Sequence, residues 1–535
     1  MNKSDFLFDI WSIKENGIDN WQQNKNYWPI NENEFYSLGD SIYELYGSLI
    51  NKSDHYTSIL FSAIIKINVQ YLMFIHDIIF NERLKGINVI YKNNDQFNSV
   101  HMDIAPNRIF DNYKNKYDIK YPTLKQKLKN ELYLYKCRLD YSLHNYSIVG
   151  NVIPSKNNGI ISSSKPSSDF LKFANNNKYG FNFLNFLDIL PDIKLDAVFK
   201  SKIIIAEKEI DYLLKKLGEI AKAYGAELND WHLAYISQLT KVYLKSADYC
   251  IQNSFNKLKK TGGEYLAIHG SGNLFNRCIT LGAELANYKT IGGTHGNNPG
   301  YHTNGSSYMN EFSYSTHLLV PTRGSKKLYE NQQKKNFIKN TKNQKIISVD
   351  TNHYVKLTEL NQLHKIPRKL SSIIFVEYPL SPQRHGLRIG FWYYHLQIAL
   401  KVGLILKTHG IRSLMKRHPD RLAESEFVYD NYFDEVLTES FEEVYNKADA
   451  IFFPNLATST FGFSLTTNKP IFIFEDLLDY VDRDVHSLIK KRCVVIPSSF
   501  TKNGGLEFDE DFLINSLKKP VNKPNNELLH EFFYP

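Results

Sequence analysis

Apolar and polar positions follow two different rhythms along this chain. Before about residue 260 the apolar side chains recur at helical spacing; after it, short apolar runs alternate with helical segments. Residues 1–125 read as helical and rich in Tyr and Trp, with one strand expected at 86–91. Residues 126–200 are polar and Asn-rich, and the run from Ser162 to Ser168 has the composition of a loop. Ile205, Ile210, Leu213, Leu214, Leu217 and Ile220 predict a helix. Residues 232–258 predict a second, capped by Asn229 or Asp230.

From Glu264 onward strands are expected at 264–268, 288–291, 318–320 and 345–349, with a helix at 274–286. The rhythm restarts after a polar bridge at 331–345 and a basic stretch at 365–370. Strands are then expected at 372–376, 413–417, 448–453 and 470–474, and helices at 391–403 and 460–467. Short strands alternating with helices build parallel sheets. Two such series in tandem, unrelated by any sequence repeat, predict an α/β protein with two Rossmann-like lobes and a central cleft. The expected division is a helical, aromatic-rich region at 1–200 that contributes to the first lobe, the first lobe at 201–365 and the second at 366–535.

Composition narrows the class. The 535 residues are 23% charged and 42% hydrophobic, as in a folded globular protein. This excludes a disordered acidic chain and a histone-like one. The net charge of +9 suits an anionic ligand or an anionic membrane surface. Aromatic residues reach 14%, which predicts large interior contacts and ring platforms in a cleft. Cys137, Cys250, Cys278 and Cys493 lie far apart with no CxxC pair, so reduced, buried thiols are expected rather than a zinc ribbon or disulfide scaffold. The first twenty residues carry acids where a signal peptide needs an apolar run. Residues 56–80 are the most apolar long stretch, but Lys66, Asn68, Gln70, His76 and Asp77 interrupt it. A bilayer span needs ~20 nearly uncharged residues, so one or two core helices are expected there. The expected location is cytoplasmic, with peripheral contact at the inner face of the cytoplasmic membrane as a compatible extension.

Candidate chemistry concentrates at strand ends. One strand ends in Lys416-Arg417-His418-Pro419. Ligands of open α/β sheets sit beyond the carboxyl ends of strands, so two cations and an imidazole there form an anion pocket, with Pro419 fixing the turn. Taken alone, the segment reads more readily as a solvated basic turn. Further on, a strand leads into Thr458-Ser459-Thr460 at a helix start, where hydroxyls and backbone N–H groups cap the helix or surround a phosphate. Both segments in one sheet would share a rim and read as a nucleotide-phosphate site. Glu475, with Asp476 after it, follows the next strand and could bond a ribose. In the first series, His269-Gly270-Ser271-Gly272 and Gly292-Gly293-Thr294-His295-Gly296-Asn297 follow consecutive strands, and Glu311 comes soon after. Glycines let a ligand approach the backbone closely. His269, Gly270, Ser271, Gly296 and Asn297 are therefore candidate ligand-binding residues, with His295 and Glu311 as candidates for catalysis. Arg384 is a candidate for a sugar carboxylate, through its bidentate fork. No Walker, HExxH or GxSxG pattern is present in these segments.

His418-Pro419, then Thr458-Ser459-Thr460, then Lys469-Pro470 resembles the carboxy-terminal lobe of GT-B glycosyltransferases. It is most similar to the bacterial sialyltransferase and Kdo-transferase groups that use CMP-activated 2-keto sugar acids. The whole chain also resembles a transferase family of lipopolysaccharide and capsule gene clusters, through Tyr27-Trp28, Leu45-Tyr46-Gly47, His76-Asp77 and the Gly293-Thr294-His295-Gly296 turn. What the resemblance implies is a CMP site in the second lobe with His418 on the donor phosphate. The acidic [D/E][D/E]G triplet that supplies the base in such sialyltransferases has no counterpart in this chain, so the base is unassigned, with His295, Glu311 and Glu377 as candidates.

The expectation is a GT-B-like enzyme that transfers a nonulosonic acid or Kdo-type sugar from a CMP donor to a surface glycan or glycolipid. His418, Lys416, Arg417 and Pro419 would hold the donor phosphate, and Thr458, Ser459, Thr460 and Glu475 would complete the nucleotide site. Under the same resemblance His269, Gly270, Ser271, Gly296 and Asn297 would face the acceptor. No cofactor or metal is expected, because fixed donors can stabilise the departing CMP. The rivals are a CDP-polyol phosphotransferase of the teichoic-acid type and a non-catalytic glycan-assembly binding protein. Nucleic acid is not an expected partner, since the basic residues form no aromatic-interleaved patch.

Overall fold

Ser372–Val376, Ala450–Phe453 and Ile471–Phe474 carry apolar side chains on both faces, and such runs are stable as strands only when covered on both sides. In the computed structural model they are the centre of a six-stranded parallel sheet. The structure describes residues 5–7, 9–23, 28–30, 32–85, 87–90, 159–162, 170, 172–173, 180–183, 207–268, 274–294, 300–301, 312–335, 344–362, 369–378, 380, 389–419, 422–456, 458–501, 506–519 and 523–535.

Fourteen strands matter for the architecture, in chain order. A small amino-terminal pair, β1 (Asp5–Leu7) and β2 (Asn88–Ile90), is parallel. The first large sheet contains β3 (Gly159–Ser162), β4 (Gly180–Phe183), β5 (Tyr265–Ala267), β6 (Lys289–Gly293), β7 (His317–Val320) and β8 (Lys345–Ser348). Its order is β4-β3-β5-β6-β7-β8, with every neighbour parallel. The second contains β9 (Ser372–Val376), β10 (Arg412–Lys416), β11 (Glu435–Leu437), β12 (Ala450–Phe453), β13 (Ile471–Phe474) and β14 (Val494–Ile496). Its order is β11-β10-β9-β12-β13-β14, again all parallel. Ile374 of β9 pairs with Leu414 on one side and Ile451 on the other. Counted from β9, the order is 3-2-1-4-5-6, that of a doubly wound sheet, and its direction reverses between β9 and β12. The first sheet, counted from β3, runs 2-1-3-4-5-6 and reverses between β3 and β5. The protein is thus a mixed α/β chain with two parallel sheets.

Several boundaries depart from expectation. The polar, Asn-rich stretch 126–200, where no strand is expected, contains β3 and β4, whose apolar pattern is broken by Gly159, Gly180 and Asn182. The first sheet therefore begins well before residue 201. The edge strands β11 and β14 are half-buried and too short to carry a clear apolar run. The helix expected at 232–258 is Asp230–Thr261, and Asn229 caps it by accepting the His232 N–H.

The apolar stretch 56–80 folds as two helices, His55–Ala63 and Ile67–Arg83, bent by 65° to one another. Leu60, Phe61, Ile64, Ile65, Leu72, Ile75 and Ile79 along it are buried in protein. No single described helix is long and apolar enough to cross a membrane. The amino-terminal region packs on both sheets' layers, and not on the first alone. On the first side, Tyr71 and Thr240 hydroxyls bond at 2.6 Å, and Arg277 donates to the Ser62 carbonyl at 3.3 Å. On the second side, the Trp21 indole N–H donates to the Tyr393 hydroxyl at 3.0 Å, and the Phe6 ring stacks on Tyr393. Cys250, Cys278 and Cys493 are buried free thiols.

Candidate functional site

Two segments bring the layers of the two sheets together. The chain leaving the carboxyl end of β6 reaches Tyr301, whose hydroxyl donates to the carbonyl of Leu456, just past the carboxyl end of β12. The Tyr301 ring also meets Phe461 edge-on. Its carbonyl accepts the Asp482 N–H at 2.7 Å. Past β7, Thr322 and Ser325 donate to the carbonyl of Phe532 in the C-terminal segment Leu529–Phe533. The Phe533 ring in turn meets Tyr354 of the helix His353–Asn361 edge-on. The carboxyl edge of the second sheet is thus faced by the other layer, and ligands of such sheets sit at this edge.

At that edge the turn after β10 lies beside the reversal point. The Arg417 N–H still donates to Leu437 of β11, and there the ladder ends. The His418 N–H donates instead to Glu377 Oε2, at 2.5 Å. His418 is half-buried and Pro419 exposed. The two cations are already engaged. The Lys416 ammonium donates to the Arg417 carbonyl, and burial lowers its pKa. Arg417 donates to the Ser425 hydroxyl at 2.9 Å and to the Leu422 carbonyl. Lys416 thus braces the turn itself and Arg417 the segment at Leu422–Ser425.

Glu377 follows β9 directly and is 6% exposed. Oε2 also accepts from the Ser425 hydroxyl at 3.4 Å, and the Tyr429 hydroxyl lies against the same carboxyl. Burial is the main cause that pushes the carboxyl up to about 7, and the His418 N–H and Arg417 pull the other way. A raised acid pKa means stability present below the ordinary 4.5 and lost as pH rises through about 7. Glu377→Gln retains an acceptor for His418 and removes the buried charge. The variant should match the parent below pH 4.5 and become more stable as pH rises, by up to about 3 kcal/mol above pH 7. Urea unfolding at pH 5 and pH 8 checks this; an equal difference at both would refute it.

The second rim element begins after β12. Asn455 and Leu456 are buried, and Thr458 caps the short helix Ser459–Leu465 by accepting the Thr460 N–H at 3.3 Å. Ser459 is exposed and Thr460 half-buried. The structure brings His418 and the Thr458-Ser459-Thr460 segment to the carboxyl edge of one sheet, after strands that both neighbour β9. Glu475 begins the turn after β13 and forms a surface ion pair with Lys490 at 3.0 Å. Beside Glu475, Asp476 is half-buried, its carboxyl pushed up to about 6 chiefly by desolvation, with Ser498 donating to it at 2.6 Å. Lys469 and Pro470 lie at the opposite, amino edge of β13, where the Lys469 ammonium bonds the Ala448 carbonyl.

His269, Gly270, Ser271, His295, Gly296, Asn297, Glu311 and Arg384 lie outside the described residues. Tyr301, Ser425, Tyr429 and Arg492 escaped the sequence reading. Tyr, Ser and Arg are common, and only their partners, distant in the chain, mark them. No family model and no curated protein matches the chain.

Proposed function

We propose that this protein is a two-lobed, GT-B-like glycosyltransferase that binds a nucleotide-activated sugar at the carboxyl edge of the second sheet. The observation that carries the reading is the juxtaposition at the β9/β12 reversal: the His418-Pro419 turn after β10 and the Thr458-Ser459-Thr460 cap after β12, in a 3-2-1-4-5-6 sheet. The resemblance of these residues to CMP-dependent transferases supports a CMP donor carrying a nonulosonic acid or Kdo-type sugar, and a surface glycan or glycolipid acceptor. His418 would stabilise charge on the departing phosphate. A 6% exposed Glu377 carboxyl under the turn offers an acceptor hydroxyl almost no surface, which leaves His295 and Glu311 as base candidates. Catalysis without metal and a cytoplasmic location are part of the same proposal.

A thermal-shift titration with CMP, CDP, UDP and GDP tests it. A ligand that binds only the folded state stabilises it by ~2.7 kcal/mol at a hundredfold excess over Kd. CMP should raise the midpoint, and His418→Ala should abolish the rise. A response to UDP or GDP alone would overturn the donor class, and no response to any nucleotide would overturn the reading. A panel of CMP-sugars against CDP-glycerol and CDP-ribitol then separates sugar transfer from polyol-phosphate transfer.

A further inference from the structure

One carboxyl group ties together three pieces of the second sheet's carboxyl edge. Glu377 continues β9 by donating its own N–H to the Lys416 carbonyl at 2.9 Å. Its Oε2 takes the His418 N–H, the first turn donor beyond the β10–β11 ladder, and the hydroxyl of Ser425. Ser425 in turn accepts from Arg417. Pro419 has no N–H, so His418 supplies the backbone donor at the apex. Glu377 Oε1 is buried, and the Tyr429 hydroxyl lies against the same carboxyl. The charged groups that face this carboxyl are Arg417 and Lys416 from the turn, and Lys416 itself is faced by Glu439 and Glu442 beyond β11.

We infer that Glu377 is a positioning residue of the nucleotide site: it holds the His418 backbone, and with it the imidazole, at the reversal point of the sheet. The inference rests on the nucleotide reading for its ligand, but not for its geometry. When Glu377 carries a proton on Oε1, Oε2 still accepts the His418 N–H, and the floor of the site is neutral. When the proton leaves to solvent, the bond to His418 becomes charge-assisted, but a negative charge then lies beneath the bound phosphate. Turn order and phosphate affinity therefore respond to Glu377 separately.

Hydrogen exchange and CMP titration on the full chain test this with Glu377→Gln and Glu377→Ala. Without nucleotide, Glu377→Ala should speed amide exchange across residues 416–429, while Glu377→Gln, which retains a neutral acceptor, should match the parent at pH 6 and exchange faster than it at pH 8, where only the parent's bond is charge-assisted. With CMP, Glu377→Ala should weaken binding ~10-fold between pH 6 and 8, the size expected for loss of one charge-assisted anchor. The ratio of parent to Glu377→Gln Kd should rise several-fold from pH 6 to pH 8. Taking the ratio cancels titration of the CMP phosphate itself. Unchanged exchange in Glu377→Ala would overturn the positioning role; should that variant not fold, exchange in Glu377→Gln that equals the parent's at both pH 6 and pH 8 would overturn it. A ratio flat with pH would overturn the coupling to phosphate. If CMP binds no variant and not the parent, the nucleotide reading falls, and the exchange comparison alone decides whether Glu377 holds the turn.

Discussion

Arg492→Met lowers the unfolding free energy by about 3 kcal/mol or more, one of the two largest effects expected of a single substitution here. Arg492 ends the helix Arg483–Arg492 and is 5% exposed. Its guanidinium donates to four carbonyls: Lys469 at 3.2 Å, Ser464 at 3.3 Å, Leu465 at 3.4 Å and Thr467 at 2.8 Å. Ser464, Leu465 and Thr467 belong to the end of the helix Ser459–Leu465 and the turn after it, where carbonyls have no intrahelical partner. Burial lowers the Arg492 pKa to about 10, still well above neutrality, so the group stays charged and its bonds are charge-assisted. Methionine fills most of the volume and takes this donor from the Leu465, Thr467 and Lys469 carbonyls, while Ser464 keeps the Thr467 N–H and hydroxyl; losing a buried donor costs more than the bond itself. The helix so braced carries Thr458 and Ser459 at its other end. Urea unfolding should show the loss, and the response to CMP should weaken with it. A loss under about 1 kcal/mol would mean that water replaces the guanidinium, and that the brace is dispensable.

Gly324→Ala should be comparably damaging, although alanine is the better helix former by about 1 kcal/mol. Gly324 lies in the first turn of the helix Arg323–Lys334. A Cβ there would stand 2.1 Å from the Glu531 carbonyl oxygen and 2.5 Å from the Phe532 Cα. Both are backbone atoms, so no rotamer relieves the contact. Overpacking costs about 1–3 kcal/mol where side chains can shift, and the upper end applies where they cannot. The clash outweighs the propensity gain. It would push Leu529–Phe533 off the Thr322 and Ser325 hydroxyls that bind the Phe532 carbonyl. Limited proteolysis should then cut the C-terminal segment first, and the unfolding midpoint should fall by several degrees. A variant with an unchanged midpoint and an uncut C-terminus would show that this contact does not hold the two layers together.

The central strands were legible because their physics is local. Ile373, Ile374 and Phe375, Ala450 to Phe453, and Ile471 to Phe474 are buried on both faces, so an unbroken apolar run reports them directly. The helix Asp230–Thr261 was legible for a similar reason, as its apolar period and the Asn229 cap both lie within the segment. Edge strands such as β4, β11 and β14 need only one apolar flank or a neighbour's ladder, and their three or four residues do not announce themselves. The His418-Pro419 turn and the hydroxyl cap were readable as strand-end features for the same local reason.

What the turn's residues do is a different matter. Lys416, Arg417 and Glu475 read as ligand-facing charges, but each has a nearer partner: Lys416 the Arg417 carbonyl, Arg417 Ser425 and Leu422, Glu475 Lys490. A charge's partner is set by distance after folding, and distance along the chain does not predict it. Glu377 and His418 are 41 residues apart, Tyr301 and Leu456 are 155 apart, and Thr322 and Phe532 are 210 apart. Sequence alone therefore determined the class of fold and the strand ends where chemistry could sit, because burial period and capping act within one segment. Tertiary structure decided the strand order, the meeting of the two layers and the burial of Glu377, because those depend on which distant segments exclude water from one another.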